Sequence, residues 1–472
     1  MKATEFFYGF ACRPQPDGAP LPRGLDVENV TSDPGKVTKN ALYIATVTPM
    51  RDGHEGAALA YTRGCRLFLA EHALALPPDA VVLLTKDTEE LAGPLAARCF
   101  GHPERDLTVF GIAGARGKSA TALLTAAILR ENGYKVGTLT TDGEEDGTDL
   151  MSPDPIVPDA IEIRRSLARF REAGCAFAVL EFSAYQLAHG AARGIPFAAL
   201  LLTDAVPAHV GRGEFKNERA YFDAVARLFA EPAPLTLLPA GEIPFAVAGH
   251  TVLFGENGAL CCRLLDHAPY ACRFALSYDG EEYDVTHPVP GDMAMHNATA
   301  ASALALAAGL PLSSVTAVLP RVTAPFRMES VAPGVFFDTA YTGEDLARAL
   351  ALLRPDTPGR LAVLTGAVGG RARQRRAPLG AAAVQNADFV WFTTDDPDAE
   401  DPDAIFRDLI AGTNGACNYR CIADRRQALL AALSELRPGD ALLVTGKRGD
   451  FQLIAGKRVP FSDRAVIGEV LR

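Results

Sequence analysis

The sequence lacks any apolar run long enough to cross a bilayer. Its most apolar stretches, 197–202 and 298–312, fall short of the required length, which is roughly 20 residues for a helix. The opening MKATEFFYGFACRPQPDG holds one lysine and no extended apolar core after it, so it does not read as a secretory leader. Matched cysteine sets are missing too. The nine cysteines are scattered, and neither Cys261/Cys262 nor Cys417/Cys421 has companion His or Cys residues at metal-ligand spacing. That argues against a metal–thiolate centre and for reduced thiols, which fits the cytoplasm. Positive charge is in deficit: 46 Lys and Arg stand against 57 Asp and Glu, a net charge of −11. Nucleic acid and membrane surfaces are therefore not expected partners, and an anionic ligand must be met by locally concentrated positive charge. Internal repeats and low-complexity segments are absent as well.

What is present is material for several cores. At 472 residues the chain is too long for one ordinary domain, and 48% hydrophobic against 22% charged residues lets each domain bury a core. Short strand and helix patterns occupy 1–106, and the polar, proline-containing GHPERD at 101–106 reads as a linker. Strand-like 107–112, helical 119–132 closed by Gly133, strand 135–140, helix 160–173, strand 176–182, strand 197–203 and helix 219–229 then alternate. That is the pattern of a parallel sheet with crossover helices. A less regular stretch, 235–289, precedes a helix at 297–308, and a second α/β alternation runs from 335 to 445. The expected fold class is α/β in three domains: 1–106, a central P-loop parallel-sheet domain at 107–330, and a Rossmann-like domain at 331–472.

The sharpest chemical signal is Gly111-Ile-Ala-Gly114-Ala-Arg116-Gly117-Lys118-Ser119. The usual phosphate-loop string would have glycine at 112, where this chain has isoleucine; the tighter Gly114-x-x-Gly117-Lys118-Ser119 form is present. Its context is right, with a buried strand running in and a helix running out. Glycines let backbone N–H groups turn toward phosphate oxygens, and the helix N-terminus adds its positive end. Lys118 supplies a charge for ATP phosphates, the Ser119 hydroxyl suits Mg²⁺, and Arg116 adds a further cation. Glu181 closes an apolar strand run at the edge where doubly wound sheets bind ligands, so its carboxylate can hold Mg²⁺ opposite the loop.

From here the order of motifs resembles the Mur ligase family, most closely its MurE-type branch, over nearly the whole chain. The segments VTSDPGKVTKNALYIATVTPMRDGHEG, LEFSAYQLAHG, AYFDAVARLF, PFRMES, DTAYTGEDL, TGAVGGRARQRRAPLG, TTDDPDAEDP and GKRGDFQ each resemble a family motif, in order. The resemblance implies ATP-dependent amide formation in peptidoglycan precursor synthesis, through an acyl phosphate attacked by an amino group. It also implies Mg²⁺, a UDP-MurNAc-peptide and an amino acid as ligands, a UDP-sugar-binding role for 1–106, and a monomer. Residue by residue, it places Lys118, Glu181 and His209 in catalysis, with Ser119, Glu181 and His209 on the metal. Gly114, Arg116, Gly117, Lys118, Ser119, Asn297, Arg327 and Asp338 fall on the nucleotide side. Ser32, Ser183, Arg371, Asp396, Asp398 and Asp450 fall on the substrate side.

Departures cluster at catalytic positions. The family's carbamylated lysine falls on Val225, a motif histidine on Tyr185, a motif aspartate on Ala208, and an adenine-side asparagine on Ala294. The arginine that pairs with the far carboxylate of diaminopimelate falls on Asp398, where a negative charge repels that group. Losing one such electrostatic group costs about 10²–10³ in rate, unless the nearby acids Asp204, Glu214 or Asp223 substitute. Three readings follow from the sequence: an active ligase with altered metal and amino-acid sites, an ATP-binding pseudoenzyme paralogue that regulates or partners a true ligase, or a non-ligase P-loop ATPase or kinase with chance similarity.

Overall fold

A buried strand followed by a helix recurs along the chain, and the parallel sheets follow from that recurrence. The structure, a computed structural model, describes all residues except 16–20, 23, 49–50, 149, 152–157, 209, 212–213, 448 and 471–472. Two compact units emerge, Met1–Cys261 with Thr299–Val315, and Cys262–Ala298 with Thr316–Arg472.

The first unit holds an eight-stranded sheet. Its parallel part runs Val136–Thr140, Phe177–Glu181, Thr108–Ala113, Ala199–Leu202, Ala233–Pro239 and Gly249–Phe254 in spatial order. Gly143–Glu145 and Leu150–Met151 extend one edge antiparallel. Strands such as Thr108–Ala113 are buried almost end to end because helices cover both faces. From Thr108–Ala113 the chain crosses through the helix Lys118–Glu131 to Val136–Thr140, two places to one side, while Ala199–Leu202 pairs on the other side. The carboxyl end of Thr108–Ala113 is therefore where the connections diverge, the place such sheets leave open for a ligand.

A second sheet in this unit orders Arg13–Gln15, Val81–Leu84, Leu67–Ala70, Ala41–Ile44 and Asn29–Thr31. It is seated on the helix Ala160–Glu172, whose Ala160 and Ile161 share one apolar cluster with Val30, Leu42, Leu67 and Leu95. Arg165 of that helix donates to the Val30 carbonyl at 2.7 Å and the Asn29 amide oxygen at 3.0 Å. The polar 101–106 segment, expected as a linker, is packed rather than free. It forms the short turn Pro103–Arg105, and the buried Glu104 lies 3.7 Å from the buried Arg164. Burial pulls the Arg164 guanidinium down to about 10, with Glu104 opposing that pull.

The second unit carries a six-stranded sheet in the order Arg327–Ala332, Val335–Asp338, Ala441–Thr445, Leu361–Ala367, Phe389–Thr394, Tyr419–Cys421. All but the first pairing is parallel. The irregular region expected at 235–289 contains a regular antiparallel meander, Cys261–Ala268, Ala271–Tyr278 and Glu281–His287. Its last turn is Asp279-Gly280, both at positive φ (50° and 82°), which matches the twist of the flanking strands. The helix expected from 297 begins at Asp292; its first turn carries no regular apolar spacing that the sequence could show. The α/β class itself is as expected.

Candidate functional site

The phosphate loop owes its shape to two close approaches. A Cβ on Gly114 (φ +133°) would lie 2.1 Å from Thr203 Oγ1, and Gly117 enters the helix at φ +78°. Both positions exclude larger residues, the first by contact and the second by backbone strain. Lys118 opens the helix Lys118–Glu131 and Ser119 is buried in its first turn. The register pairs Glu181 with Ile112, so the carboxylate arrives beside the loop. Ser119 Oγ donates to Glu181 Oε2 at 2.7 Å, Lys118 Nζ lies 3.8 Å from Glu181 Oε1, and the Thr141 amide donates to Oε2 at 3.0 Å. Lys118 Nζ also donates to the Ala115 carbonyl at 3.1 Å. One carboxylate, one hydroxyl and one ammonium thus converge at the ends of adjacent parallel strands.

Two further participants join the site. Thr141 follows Val136–Thr140 and places its hydroxyl 3.1 Å from Ser119 Oγ; only strand order, invisible in the sequence, reveals it. Asp204 follows Ala199–Leu202 and accepts the Ala115 amide at 2.7 Å and the Arg116 amide at 3.1 Å, with Arg116 Nε 3.6 Å away. The signal available for Asp204 was an acid just past a buried strand.

The altered positions have settled roles. Val225 is fully buried among Tyr221, Ala224, Leu228 and Phe229. Tyr221 is buried too, and its hydroxyl has no hydrogen-bond partner among the described residues; burial, then the Asp204 charge, push its pKa up. Tyr185 packs on the His189 ring with centroids 4.5 Å apart. Ser183 caps the short helix Ala184–Ala188 in a reciprocal pair with Gln186, a stabilising use of the hydroxyl. His209 lies outside the described residues.

Near the chain start, the buried Ser32 donates to the Asp159 carboxylate, which itself caps the helix Ala160–Glu172. The motif turn Asp52-Gly53-His54 is closed by His54 Nδ1 at 2.6 Å from Asp52 Oδ1, and His54 Nε2 accepts the Glu71 amide at 3.0 Å. His72 stacks on His54 with centroids 3.8 Å apart. Asp52, His54 and His72 offer metal-type atoms close together, but both His54 nitrogens already hold partners, so the cluster fastens the turn.

In the second unit, Arg327 and Asp338 face each other across the Arg327–Ala332 and Val335–Asp338 pairing. Arg327 donates to Thr339 Oγ1 at 2.6 Å, and Asp338 accepts the Met328 and Ala340 amides. Phe326 and Met328 flank Arg327 at positive φ, 56° and 51°. Side chains with a Cβ adopt that conformation only under strain, and strain of this kind gathers at functional positions. Asn297 is buried in the helix Asp292–Ala307, and its Oδ1 has no partner among the described residues. Arg371 is exposed, as is Asp450. Asp396 pairs with the buried Lys447 at 3.0 Å. Asp398 (φ 51°) accepts the Gly456 amide at 2.7 Å. Lys447 was not assigned from sequence, although Gly446-Lys447 was visible as a motif. Asp395 is buried beside this pair; burial pushes its carboxyl up to about 6 despite the opposing Arg425 charge. Glu400 lies on Arg376, Arg373 and the Gly370 amide, which hold its carboxyl far below the usual range, the Arg376 bond foremost.

The residues of the first unit fit a nucleotide and Mg²⁺ by their donor chemistry. The glycine loop offers amides and Lys118 a charge to phosphate, and the Ser119 hydroxyl and Glu181 carboxylate are hard oxygen ligands. In the second unit the orphaned Asn297 Oδ1 suits a base amino group.

Two domain descriptions match this chain: "Mur ligase middle domain" over residues 112–305 and "Mur ligase, glutamate ligase domain" over 326–448. A UDP-N-acetylmuramoyl-L-alanyl-D-glutamate–2,6-diaminopimelate ligase of Aquifex aeolicus is 30% identical over 459 residues, covering 94% of each chain. A solved structure of a ligase of the same name superposes with a TM-score of 0.65 at 21% identity, covering 100% of this chain and 99% of that one. A MurF ligase from Thermotoga maritima, solved with ADP, gives 0.57 at 17% identity over 90% of this chain and 96% of that one. None of these comparisons supports the pseudoenzyme alternative. With relatives matched along nearly its full length, the chain belongs to the Mur ligase family.

Proposed function

We propose that this chain is a MurE-like ligase that uses ATP to join the carboxylate of a UDP-MurNAc-dipeptide-like acceptor to an amino acid. The observation that carries the reading is the convergence of Lys118, Ser119 and Glu181 at the loop. Lys118 and the loop amides would hold the phosphates, and Ser119 and Glu181 would hold Mg²⁺, which neutralises charge on the transferring phosphoryl group when bound. Glu181 keeps the Ser119 hydroxyl oriented and Lys118 turned toward the loop. His209 is proposed as a further metal-side residue, and Asn297, Arg327 and Asp338 as nucleotide-side residues. Arg371, Asp396 and Asp450 remain proposed for the substrates, as do Ser32 and Ser183, with the domains divided at 106/107 and 330/331. No described helix is long and apolar enough to cross a membrane.

The amino acid follows from charge. Asp398 places a carboxylate where a carboxylate-binding arginine is expected, and Lys447 is already paired with Asp396. A neutral or cationic amino acid fits better than diaminopimelate. Incubation with ATP, Mg²⁺, UDP-MurNAc-L-Ala-D-Glu and an amino-acid mixture tests the reading. The expected result is ADP release above a Lys118→Ala control, with lysine-type side chains preferred. No release above that control rejects ligase activity.

A further inference from the structure

The loop amides that should await a phosphate already hold an anion. Asp204 Oδ1 accepts the Ala115 N–H at 2.7 Å and Oδ2 accepts the Arg116 N–H at 3.1 Å, while Arg116 Nε sits 3.6 Å from Oδ2. Both carboxylate oxygens are thus engaged by consecutive backbone donors of the turn between Thr108–Ala113 and Lys118–Glu131. Consecutive N–H groups at such a turn form an anion-binding concavity. The placement is built into the fold. Ala199–Leu202 pairs directly with Thr108–Ala113, and Thr203 presses so closely on Gly114 that only glycine fits there. Asp204 is the next residue, so the chain delivers its carboxylate to the amides without any flexible excursion. The side chain is only 17% exposed, which limits the water that would otherwise compete for it.

We propose that Asp204 is a built-in phosphate surrogate that competes with the nucleotide for the amides of Ala115 and Arg116. This rests on the loop being the nucleotide site. A phosphate entering the loop must displace the carboxylate, since two anions cannot share these donors. The affinity observed is then the intrinsic affinity multiplied by the small fraction of molecules in which Asp204 has swung away. The loop stays ordered and its amides stay satisfied in the nucleotide-free protein, at the expense of weaker binding. Removing the charge removes the competitor. An asparagine keeps the size and one acceptor oxygen but does not repel phosphate.

The test is titration calorimetry of the full chain with MgATP, and separately with magnesium pyrophosphate, on wild type, Asp204→Asn and Asp204→Ala. Both variants are expected to bind both ligands more tightly, by about ten- to a hundredfold if the capped state holds about 90–99% of the molecules. Equal or weaker binding by folded variants overturns the surrogate while leaving the nucleotide site intact. Binding of neither ligand by any of the three proteins overturns the site and the surrogate together. If the variants do not fold, amide hydrogen exchange of the wild-type chain decides. Protection of the Ala115 and Arg116 amides without nucleotide supports the proposal, and free exchange there overturns it.

Discussion

Each unit places polar residues at the carboxyl ends of a parallel sheet, yet the two ends are organised differently. In the first unit Lys118, Ser119, Thr141 and Glu181 share contacts among groups that a ligand can take over. In the second, Arg425 is wholly buried on Asp463 and on the Thr394 and Thr445 carbonyls, and the buried Arg376 is held by Glu400 and Asp408. Those charges are neutralised within the fold itself. A mostly parallel sheet thus carries charges at its open end in one unit and charges locked inside as framework in the other. A buried pair of this kind is weak evidence for net stability but expensive to break on one side.

Four measurements sharpen or break that contrast. Arg425→Ala should leave Asp463 buried without its partner and destabilise the second unit by about 3–5 kcal/mol, read by urea unfolding; a loss near zero would place the pair on the dispensable side. Lys118→Ala should lower ligase turnover by about 10²–10³ with a smaller change in the urea midpoint than Arg425→Ala, since its ammonium holds only one carbonyl and lies 3.8 Å from the Glu181 carboxylate. Asp395 offers a pH test. Its carboxyl is raised from 3.8 to about 6, so the folded state holds a proton that the unfolded state has released. The resulting penalty is absent below the ordinary value, grows as pH rises toward 6 and is constant above it. Asp395→Asn should therefore stabilise the protein by about 3 kcal/mol above pH 6, and the gain should vanish near pH 4. Last, Arg426→Ala removes a half-exposed partner of Glu469 at 2.6 Å and should change stability by less than about 0.5 kcal/mol.

The framework half of this contrast was the harder to read from sequence. Gly114, Gly117, Lys118 and Ser119 were visible because phosphate binding needs those residue types at short spacing, between one strand and the helix after it, and Glu181 because it closes a separate apolar strand run. The contacts of Thr141 and Asp204 with the loop were not legible because strand order brings them in from 22 and 89 residues away in the chain. Arg376, Arg425 and Lys447 look like surface charges in sequence; only their partners 20 to 51 positions off make burial tolerable. The meander at Cys261–His287 was blurred because its strands have faces open to solvent and carry charge, which dilutes an apolar alternation. The helix starts are fixed locally by Asp159, Asn217 and Asp424, each accepting amides of the first turn it precedes.

The seating of the N-terminal sheet on Ala160–Glu172 bears on how such proteins can be recombined. That helix is at once a crossover of the phosphate-loop sheet and the platform that holds Asn29, Val30 and Ser32. Replacing residues 1–106 with the corresponding piece of a distant relative would strand Arg165 and Asp159 without their acceptor and donor. A graft of residues 1–106 must therefore carry the outward face of this helix with it, so the natural module for swapping extends past residue 106 into Ala160–Glu172.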